Sequence, residues 1–410
     1  MNNSLIKIIQ IANETQYYNK IFKDKNIING LTEEFFKSVP ILNKRDFGIS
    51  NMSILDSHRF VEKKHIIKTY RTSGSTGKFT DIYWLNDDYY KSNLPLWRLR
   101  YKWYGILPAS KCVSFNSSVY NGNRVERAER IKYYTKSLLG FSKSWMNDQD
   151  FIDYFSEMER YKPEWLLIQP STCLRLIEIK KKYRLRLCSS IRYLELNGEL
   201  ATPELEEYIR DELGITVANM YGATEVNAIA LECPFHHMHV ISDNVYLEDV
   251  IINNKHHAVV TSLTNTIMPI IRYDLNDEIE LSKTDNTCEC GLKSPIVKVI
   301  KGRVTDNIRY GKNCISPYVI IYAIEKVNSF LGNPIIQFQL IRNEEKTIHI
   351  NLIVKDNFSD WKNAISADLE KELAMNIPDM EFNIIFLNKV MCEEGTKHRL
   401  FIDNYKAKEC

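Results

Sequence analysis

The chain has 410 residues, 44% hydrophobic and 26% charged, with a formal net charge of +2. That length is too great for one small core and points to two or three domains. The near balance of charge removes any bulk electrostatic case for nucleic acid, and no stretch approaches the roughly 18 apolar residues of a membrane-spanning helix. Nine cysteines are an odd number, and the polar Met1-Asn2-Asn3-Ser4 start is not followed by a basic-then-apolar leader. Both features argue against a disulfide framework and for a reduced, cytoplasmic protein.

In chain order, residues 1–65 read as helical and mixed, with no legible chemistry. Asp81 to Leu85 is short, aromatic and branched, which predicts a strand. Residues 86–104 carry Tyr90, Leu94, Trp97 and Tyr101 at helical spacing, and that stripe is expected to pack in the core. From 150 to 225 the patterns alternate: helix at Phe151–Tyr161, strand at Trp165–Ile168, helix at Leu174–Lys182, strand at Ile191–Leu196, helix at Pro203–Leu213, strand at Thr216–Met220. Such alternation predicts an α/β domain with parallel strands. Residues 245–300 change to short strands with polar turns. From 318 to 410 a helix (Val319–Val327), two strands (Ile335–Ile341, Thr347–Val354), a helix (Trp361–Met375) and a strand (Phe382–Leu387) predict a small α+β domain of ferredoxin-like type. The expected division is therefore 1–302, a hinge at 303–317, and 318–410.

Thr72-Ser73-Gly74-Ser75-Thr76-Gly77-Lys78 concentrates hydroxyls and glycines. Glycine lets a backbone approach a ligand closely, and hydroxyls and exposed N–H groups donate to phosphate oxygens. The spacing is not that of a Walker A loop. Three further segments follow: Tyr221-Gly222-Ala223-Thr224-Glu225, Arg272-Tyr273 leading to Asp277, and Gly302-Arg303-Val304-Thr305-Asp306. A looser one, Gly395-Thr396-Lys397-His398-Arg399, lies near the end.

Together and in this order, these segments resemble the phosphate loop, the Y-G-x-T-E, R-Y-x-x-x-D and G-R-x-D-D motifs and the C-terminal lysine segment of the adenylate-forming (AMP-binding) superfamily. Tyr161-Lys162-Pro163 to Ser171 and Leu196-Asn197-Gly198-Glu199-Leu200 narrow the resemblance to the phenylacetate–CoA ligase and coenzyme F390 synthetase-like family, over about residues 68 to 400. The resemblance implies ATP as substrate, held by Thr72–Lys78, Tyr221, Gly222, Ala223, Asp277 at the ribose and Arg303, with Glu199 close to the nucleotide. It implies Thr224 at phosphate, Glu225 on Mg²⁺, and Lys397 neutralising charge as acyl-AMP forms. Phe79 stands where proline is usual, Thr80 where many members carry lysine, and Thr305 where the hinge acid is usual. The implied function is activation of a small carboxylic acid as acyl-AMP, then transfer to a thiol of CoA or of a carrier-protein phosphopantetheine, by a monomer or homodimer. An amide- or ester-forming acyl-AMP ligase and a non-catalytic nucleotide-binding homologue remain the alternatives.

Cys233, His239, Cys288 and Cys290 make a Cys₃His set suited to tetrahedral Zn²⁺. His236 and His237 are alternative fourth ligands, and free thiols beside a surface histidine patch are the plainer reading. Some relatives in the resembled family carry zinc in this region. Four protein ligands would close the site, making the metal structural.

Overall fold

The computed structural model describes residues 3–24, 31–63, 66–71, 80–116, 130–143, 147–199, 201, 203–252, 255–282, 288–301, 308–315, 317–331, 334–354, 360–387 and 401–405. The phosphate-loop residues Thr72–Lys78, the hinge residue Arg303 and the C-terminal Lys397 lie outside them.

The expected helical start is present as Asn3–Ala12, Gln16–Asp24, Glu33–Ser38, Lys44–Ile54 and Ser57–Glu62. Their buried face, including Leu5, Ile8, Phe22, Phe36 and Phe47, joins one core with the sheet behind it. This segment also grips one strand directly. The Leu42 N–H donates to Arg272 O and the Asp274 N–H to Leu42 O, each at 2.9 Å. A hairpin follows, β1 (Ile67–Arg71) and β2 (Asp81–Leu85), paired antiparallel from Ile67–Leu85 to Arg71–Asp81.

The main sheet is built from β3 (Cys112–Asn116), β4 (Ile131–Thr135), β5 (Leu138–Ser142), β6 (Trp165–Ile168), β7 (Tyr193–Asn197), β8 (Thr216–Ala223), β9 (Asn227–Glu232), β10 (Met238–Val240), β11 (Val245–Ile252), β12 (Lys255–Ser262), β13 (Tyr273–Leu281) and β14 (Ile296–Lys301). Its order among the described residues is β11-β12-β13-β14-β10-β9-β8-β7-β6-β3-β5-β4. The run β5-β3-β6-β7-β8 is parallel, and all other pairings are antiparallel. The parallel strands are short, mostly buried apolar runs joined by helices, as crossover connections require. Each helix has local cause. In Asp148–Tyr161, Phe151, Tyr154, Phe155, Met158 and Tyr161 form one buried stripe, and the Asp150 carboxylate accepts from the Asn147 N–H at 3.3 Å. Pro170 opens the helix to Lys182 at a position where the missing N–H costs nothing.

The helix Asn86–Tyr104 departs from expectation. Tyr90, Leu94 and Tyr101 face solvent, and of the predicted stripe Trp97 alone packs inward. Polar anchors set its rotation. The Asp88 carboxylate accepts from the Thr266 N–H at 3.0 Å, Ser92 accepts from Asn227 at 2.6 Å, and Arg100 donates to Glu195 at 2.8 Å. The Arg100 guanidinium lies over the rings of both Trp97 and Trp165. Glu195 also accepts from the Tyr193 hydroxyl at 3.0 Å, so this buried ion pair is well supplied with partners.

The last part has its own sheet and core. Strands β17 (Ile335–Glu344), β18 (Thr347–Val354), β19 (Glu381–Phe386) and β20 (Phe401–Asp403) lie in the order β19-β18-β17-β20. The helices Tyr318–Phe330 and Lys362–Asn376 cover it through Ile320, Ile324, Leu369 and Leu373. A small hairpin, β15 (Ile308–Tyr310) with β16 (Asn313–Ile315), joins the same core.

One buried pair makes stability depend on pH. Glu206 and Glu232 are both buried, and Asn219 lies against both: its side chain donates to Glu206 at 3.0 Å and its N–H to Glu232 at 2.8 Å. Burial, then the Glu232 carboxylate, pushes Glu206 up to about 8. Folding thus retains a proton that the unfolded chain releases in the ordinary carboxylate range. The associated stability is present below that range and is lost as pH rises through about 8. Glu206→Gln should raise the thermal midpoint at about pH 9, with a gain that shrinks towards about pH 5. An unchanged pH slope would remove the proton from this pair.

Candidate active site

Strands β6, β7 and β8 run parallel, so their carboxyl ends share one edge of the sheet. In open α/β sheets ligands bind outside those ends, where strand connections diverge. At that edge stand Gln169 after β6, Asn197-Gly198-Glu199 at the end of β7, and the Tyr221–Glu225 motif at the end of β8. The strand continues through Ala223, three residues beyond the expected end at Met220. A tight turn then leads straight into β9. The motif is therefore the head of a β-hairpin. Its first three residues belong to the ladder, and Thr224 and Glu225 form the turn.

That turn is held on every side. The ladder shifts register between Tyr221 and Gly222. A Cβ on Gly222 would stand 2.9 Å from Asn227 O and 3.3 Å from the Met220 sulfur, so glycine is needed for close approach of two backbones. Asn227 has a φ of 63° and closes the turn. Asn244, fully buried, donates to Val226 O at 2.9 Å and Ala228 O at 2.7 Å, and accepts from Thr264 at 2.9 Å. The sequence carries no sign of the Asn244 role, because a lone asparagine before a strand resembles any turn residue.

Two tyrosines connect this turn to β13. The Tyr221 hydroxyl donates to Asp277 at 2.9 Å, and burial, then Asp277, raises its pKa well above the usual value, so it stays a donor. The Tyr273 hydroxyl donates to Glu225 at 3.1 Å. Thr224 is exposed and Glu225 is buried. Asp274 is engaged by His257 at 3.1 Å and by the Asn276 N–H at 2.7 Å. The structure thus brings Tyr221, Gly222, Ala223, Thr224, Glu225 and Asp277 together, with Glu199 one strand over and half-buried. Arg272 has a different task. Its guanidinium donates to Lys37 O at 2.6 Å, Val39 O at 2.7 Å and Glu248 at 3.1 Å, so it ties the N-terminal helices to β13.

Cys233, His239, Cys288 and Cys290 converge, with ligand atoms within 4.8 Å of one another. The Cys233–Cys288 sulfur separation is 3.7 Å. That is far beyond a disulfide and close to the roughly 3.8 Å that two thiolates span on one tetrahedral zinc. His239 Nδ1 lies 3.3 Å from Ser294 Oγ, which turns Nε2 towards Cys290, also at 3.3 Å. Of the alternatives, His236 pairs with Glu232 at 2.7 Å, and His237 lies 3.2 Å from the Cys288 sulfur outside the four-atom set. Burial opposes ionisation of Cys288, but the Cys290 N–H, His239 and His237 outweigh it and bring the thiol down to about 6; burial pushes Cys233 up to about 12. Three crowded thiols cannot all ionise without a cation, so the donor set fits zinc chemically. The cluster follows β9 at its far end from the Thr224–Glu225 turn, about 20 Å away at strand rise.

Replacing Gly222 by alanine should cost about 1–3 kcal/mol by overpacking against Asn227 O and displace Thr224 and Glu225. Urea unfolding checks the first effect and ATP-binding calorimetry the second. Wild-type values in both would mean that the close approach is not required.

No family model matches the chain. Protein CapK of Staphylococcus aureus is 22% identical over 417 residues, spanning 97% of this chain and 86% of that protein. The phenylacetate-coenzyme A ligase of Escherichia coli (strain K12) is 26% identical over 233 residues, 53% of this chain and 52% of the ligase, so that match spans about half of each. Among solved structures, 2-hydroxyisobutyryl-CoA ligase in complex with 2-HIB-AMP and CoA in its thioesterification state superposes with a TM-score of 0.61 at 16% identity, covering 99% of this chain and 90% of that one. Its open conformation gives 0.56, covering 98% and 90%. The superpositions establish the fold, and one of the two sequence relatives bears the name of the family that the ordered motifs resemble. The chain therefore has the fold of the 2-hydroxyisobutyryl-CoA ligase structures and is similar in sequence to Protein CapK and to phenylacetate-coenzyme A ligase.

Proposed function

We propose that the chain is an AMP-forming acid–thiol ligase that activates a small carboxylic acid with ATP and passes the acyl group to CoA. The observation that carries this is the rigid Tyr221–Glu225 turn, tied through tyrosine hydroxyls to Asp277 and β13 at the carboxyl edge of the parallel strands. In the first step a substrate carboxylate oxygen forms a bond to the α-phosphorus, the bond to the bridging oxygen breaks, and pyrophosphate leaves. In the second a thiolate sulfur attacks the acyl carbon and AMP departs with the former carboxylate oxygen. Thr224 presents its hydroxyl to phosphate from an exposed turn position. Asp277 accepts from ribose hydroxyls. Glu225 is a buried carboxylate whose one described partner is the neutral Tyr273 hydroxyl, so an oxygen-seeking cation fits beside it. Mg²⁺ bound there would neutralise charge developing on the phosphates.

The remaining assignments belong to the same proposal. Thr72–Lys78 and Arg303 bind phosphate and ribose, Lys397 stabilises charge during adenylation, and residues 318–410 turn about 303–317 between the two steps. Cys233, His239, Cys288 and Cys290 hold a structural zinc. A cytoplasmic location accords with the free thiols among the described residues and with no described helix being long and apolar enough to cross a membrane.

ATP–pyrophosphate exchange with a panel of aryl and short acyl acids tests the reading. One or more acids should support exchange, and Glu225→Gln should lower it about 10²–10³-fold. No exchange with any acid, or no effect of Glu225→Gln and Lys397→Ala, would sink it. ATP binding without exchange would mark an idle homologue. Product analysis with CoA, a phosphopantetheinylated carrier protein and simple amines identifies the acceptor.

The zinc has a separate check. Purified protein should carry about one zinc per chain by plasma emission. Cys290→Ser should lose it and lower the melting midpoint by roughly 5–10 °C, while the KM for ATP stays put because the cluster is remote. Metal-free wild-type protein of full stability would refute the site.

A further inference from the structure

Two buried side-chain oxygens at the carboxyl edge have no hydrogen-bond partner among the described residues, and their residues occupy neighbouring positions of the sheet. Gln169 follows β6 and is 8% exposed. Although it precedes the first turn of the Pro170–Lys182 helix, its side chain does not cap that helix. Instead its Nε2 donates to Phe115 O on β3 at 3.2 Å. Only the amide nitrogen can donate to a carbonyl, so this bond fixes which end is which and turns Oε1 away from Phe115. Oε1 is buried without a hydrogen-bond partner. Asn197 ends β7, and its Oδ1 is buried and unpartnered too.

The register makes these two positions neighbours. Ile168 pairs with Leu196 across β6 and β7, so the next residues, Gln169 and Asn197, occupy one face of adjacent strands about 4.8 Å apart. Met220 of β8 pairs with Asn197 and continues the row. Gly198, with a φ of 76°, leaves the approach open: a Cβ there would touch the Gln169 side chain at 3.8 Å. The row ends where β8 delivers Thr224 and Glu225. An orphaned buried acceptor is costly, and a native fold meets it with a donor from a ligand or from ordered water. Two neutral carbonyl oxygens with no carboxylate among them suit a neutral hydroxyl better than an ammonium, whose charge would be buried uncompensated.

We propose that Gln169 and Asn197 select an acid that bears a hydroxyl group: their unpaired oxygens accept its hydrogen bond while the carboxylate is presented to the phosphates. This rests on the acid-activating function proposed above and specifies the substrate class of that site. The discrimination follows from the same physics, since an acid lacking the hydroxyl leaves both oxygens buried and unpaired.

The test is pyrophosphate exchange on matched pairs with one carbon skeleton each: lactate and propionate, 3-hydroxybutyrate and butyrate, 4-hydroxybenzoate and benzoate. At least one hydroxy acid should exceed its partner in kcat/KM by about 10⁴-fold, the scale of sites built to bond a substrate hydroxyl. Gln169→Met and Asn197→Leu should each reduce that ratio at least about tenfold, with the KM for ATP unchanged. Two substitutions on different strands guard against one of them failing to fold. If unsubstituted acids are activated as well as their hydroxy partners, the inference falls while the ligase function stands. If both variants instead raise the KM for ATP equally with every acid, the oxygens serve the nucleotide and the inference is overturned. If no acid supports exchange at all, it is the ligase reading that fails.

Discussion

Strand β8 is hydrogen-bonded in parallel to β7 and antiparallel to β9, and the site depends on how it turns between them. The two backbones come so close at Gly222 that no side chain fits. The register slips by one residue there, and the turn beyond is fixed by Asn244 from beneath and Asn227 from the side. A β-bulge of this kind re-aims the residues that follow it. Here it places Glu225 in the interior against Tyr273 and leaves Thr224 at the surface. A helix after the motif would have swept both along a cylinder; a hairpin holds them at one point on the sheet, and on the proposed function that preorganisation is what lets them stabilise charge in a transition state.

The rest of the molecule supports that point from both sides. The N-terminal helices have no chemistry of their own, yet Arg272 reaches into them for two carbonyls and Tyr18 hydrogen-bonds the backbone of Ile271 on the strand approach. They thereby set the position of β13, and with it Tyr273 and Asp277. On the other face the Asn86–Tyr104 helix is anchored by Asp88, Ser92 and Arg100, and Ser92 is the residue that meets Asn227. The helix is therefore both cover for the sheet and a brace for the turn.

How much of this was legible depended on the range of each interaction. The alternation from Phe151 to Met220 gave the parallel strands nearly residue by residue, because burial period is a local property. The Tyr221–Glu225 motif was legible for the same reason: its residues touch one another. The rotation of the Asn86–Tyr104 helix was not, since hydrophobicity alone favoured Tyr90, Leu94 and Tyr101, and partners 95 to 178 residues away decided otherwise. Residue type and spacing named the set Cys233, His239, Cys288 and Cys290 but left His236 and His237 as alternatives to His239. Strand β10 turns His239 inwards to the three sulfurs, and His236 lies beside Glu232. Strands β3 to β5, between Cys112 and Ser142, carried no recognised pattern at all. Gln169 lies inside the Tyr161–Ser171 segment that helped carry the resemblance, yet the orphaned side-chain oxygen it contributes could not be read there, because hydrogen-bond partners are set by the fold.

Alternation along the strands also explains how one edge can serve two ligands. Successive residues of a strand point to opposite faces. Tyr221 projects towards the core shared with β13, where its hydroxyl finds Asp277. Its neighbour Met220 projects the other way, into the cluster with Leu96 and Trp103 of the covering helix, and Asn197 and Gln169 continue that face on β7 and β6. On the proposed function, nucleotide recognition belongs to one face and acid recognition to the other, and they meet only at the turn, where the carboxylate and the phosphates must come together. The residues on the acid face can then vary from one relative to another without moving Glu225 or Asp277. On that proposal, Tyr221–Glu225 and Asp277 serve the nucleotide from one face, while the acid is read on the other by Gln169 and Asn197, side chains from two strands that the register brings into one row.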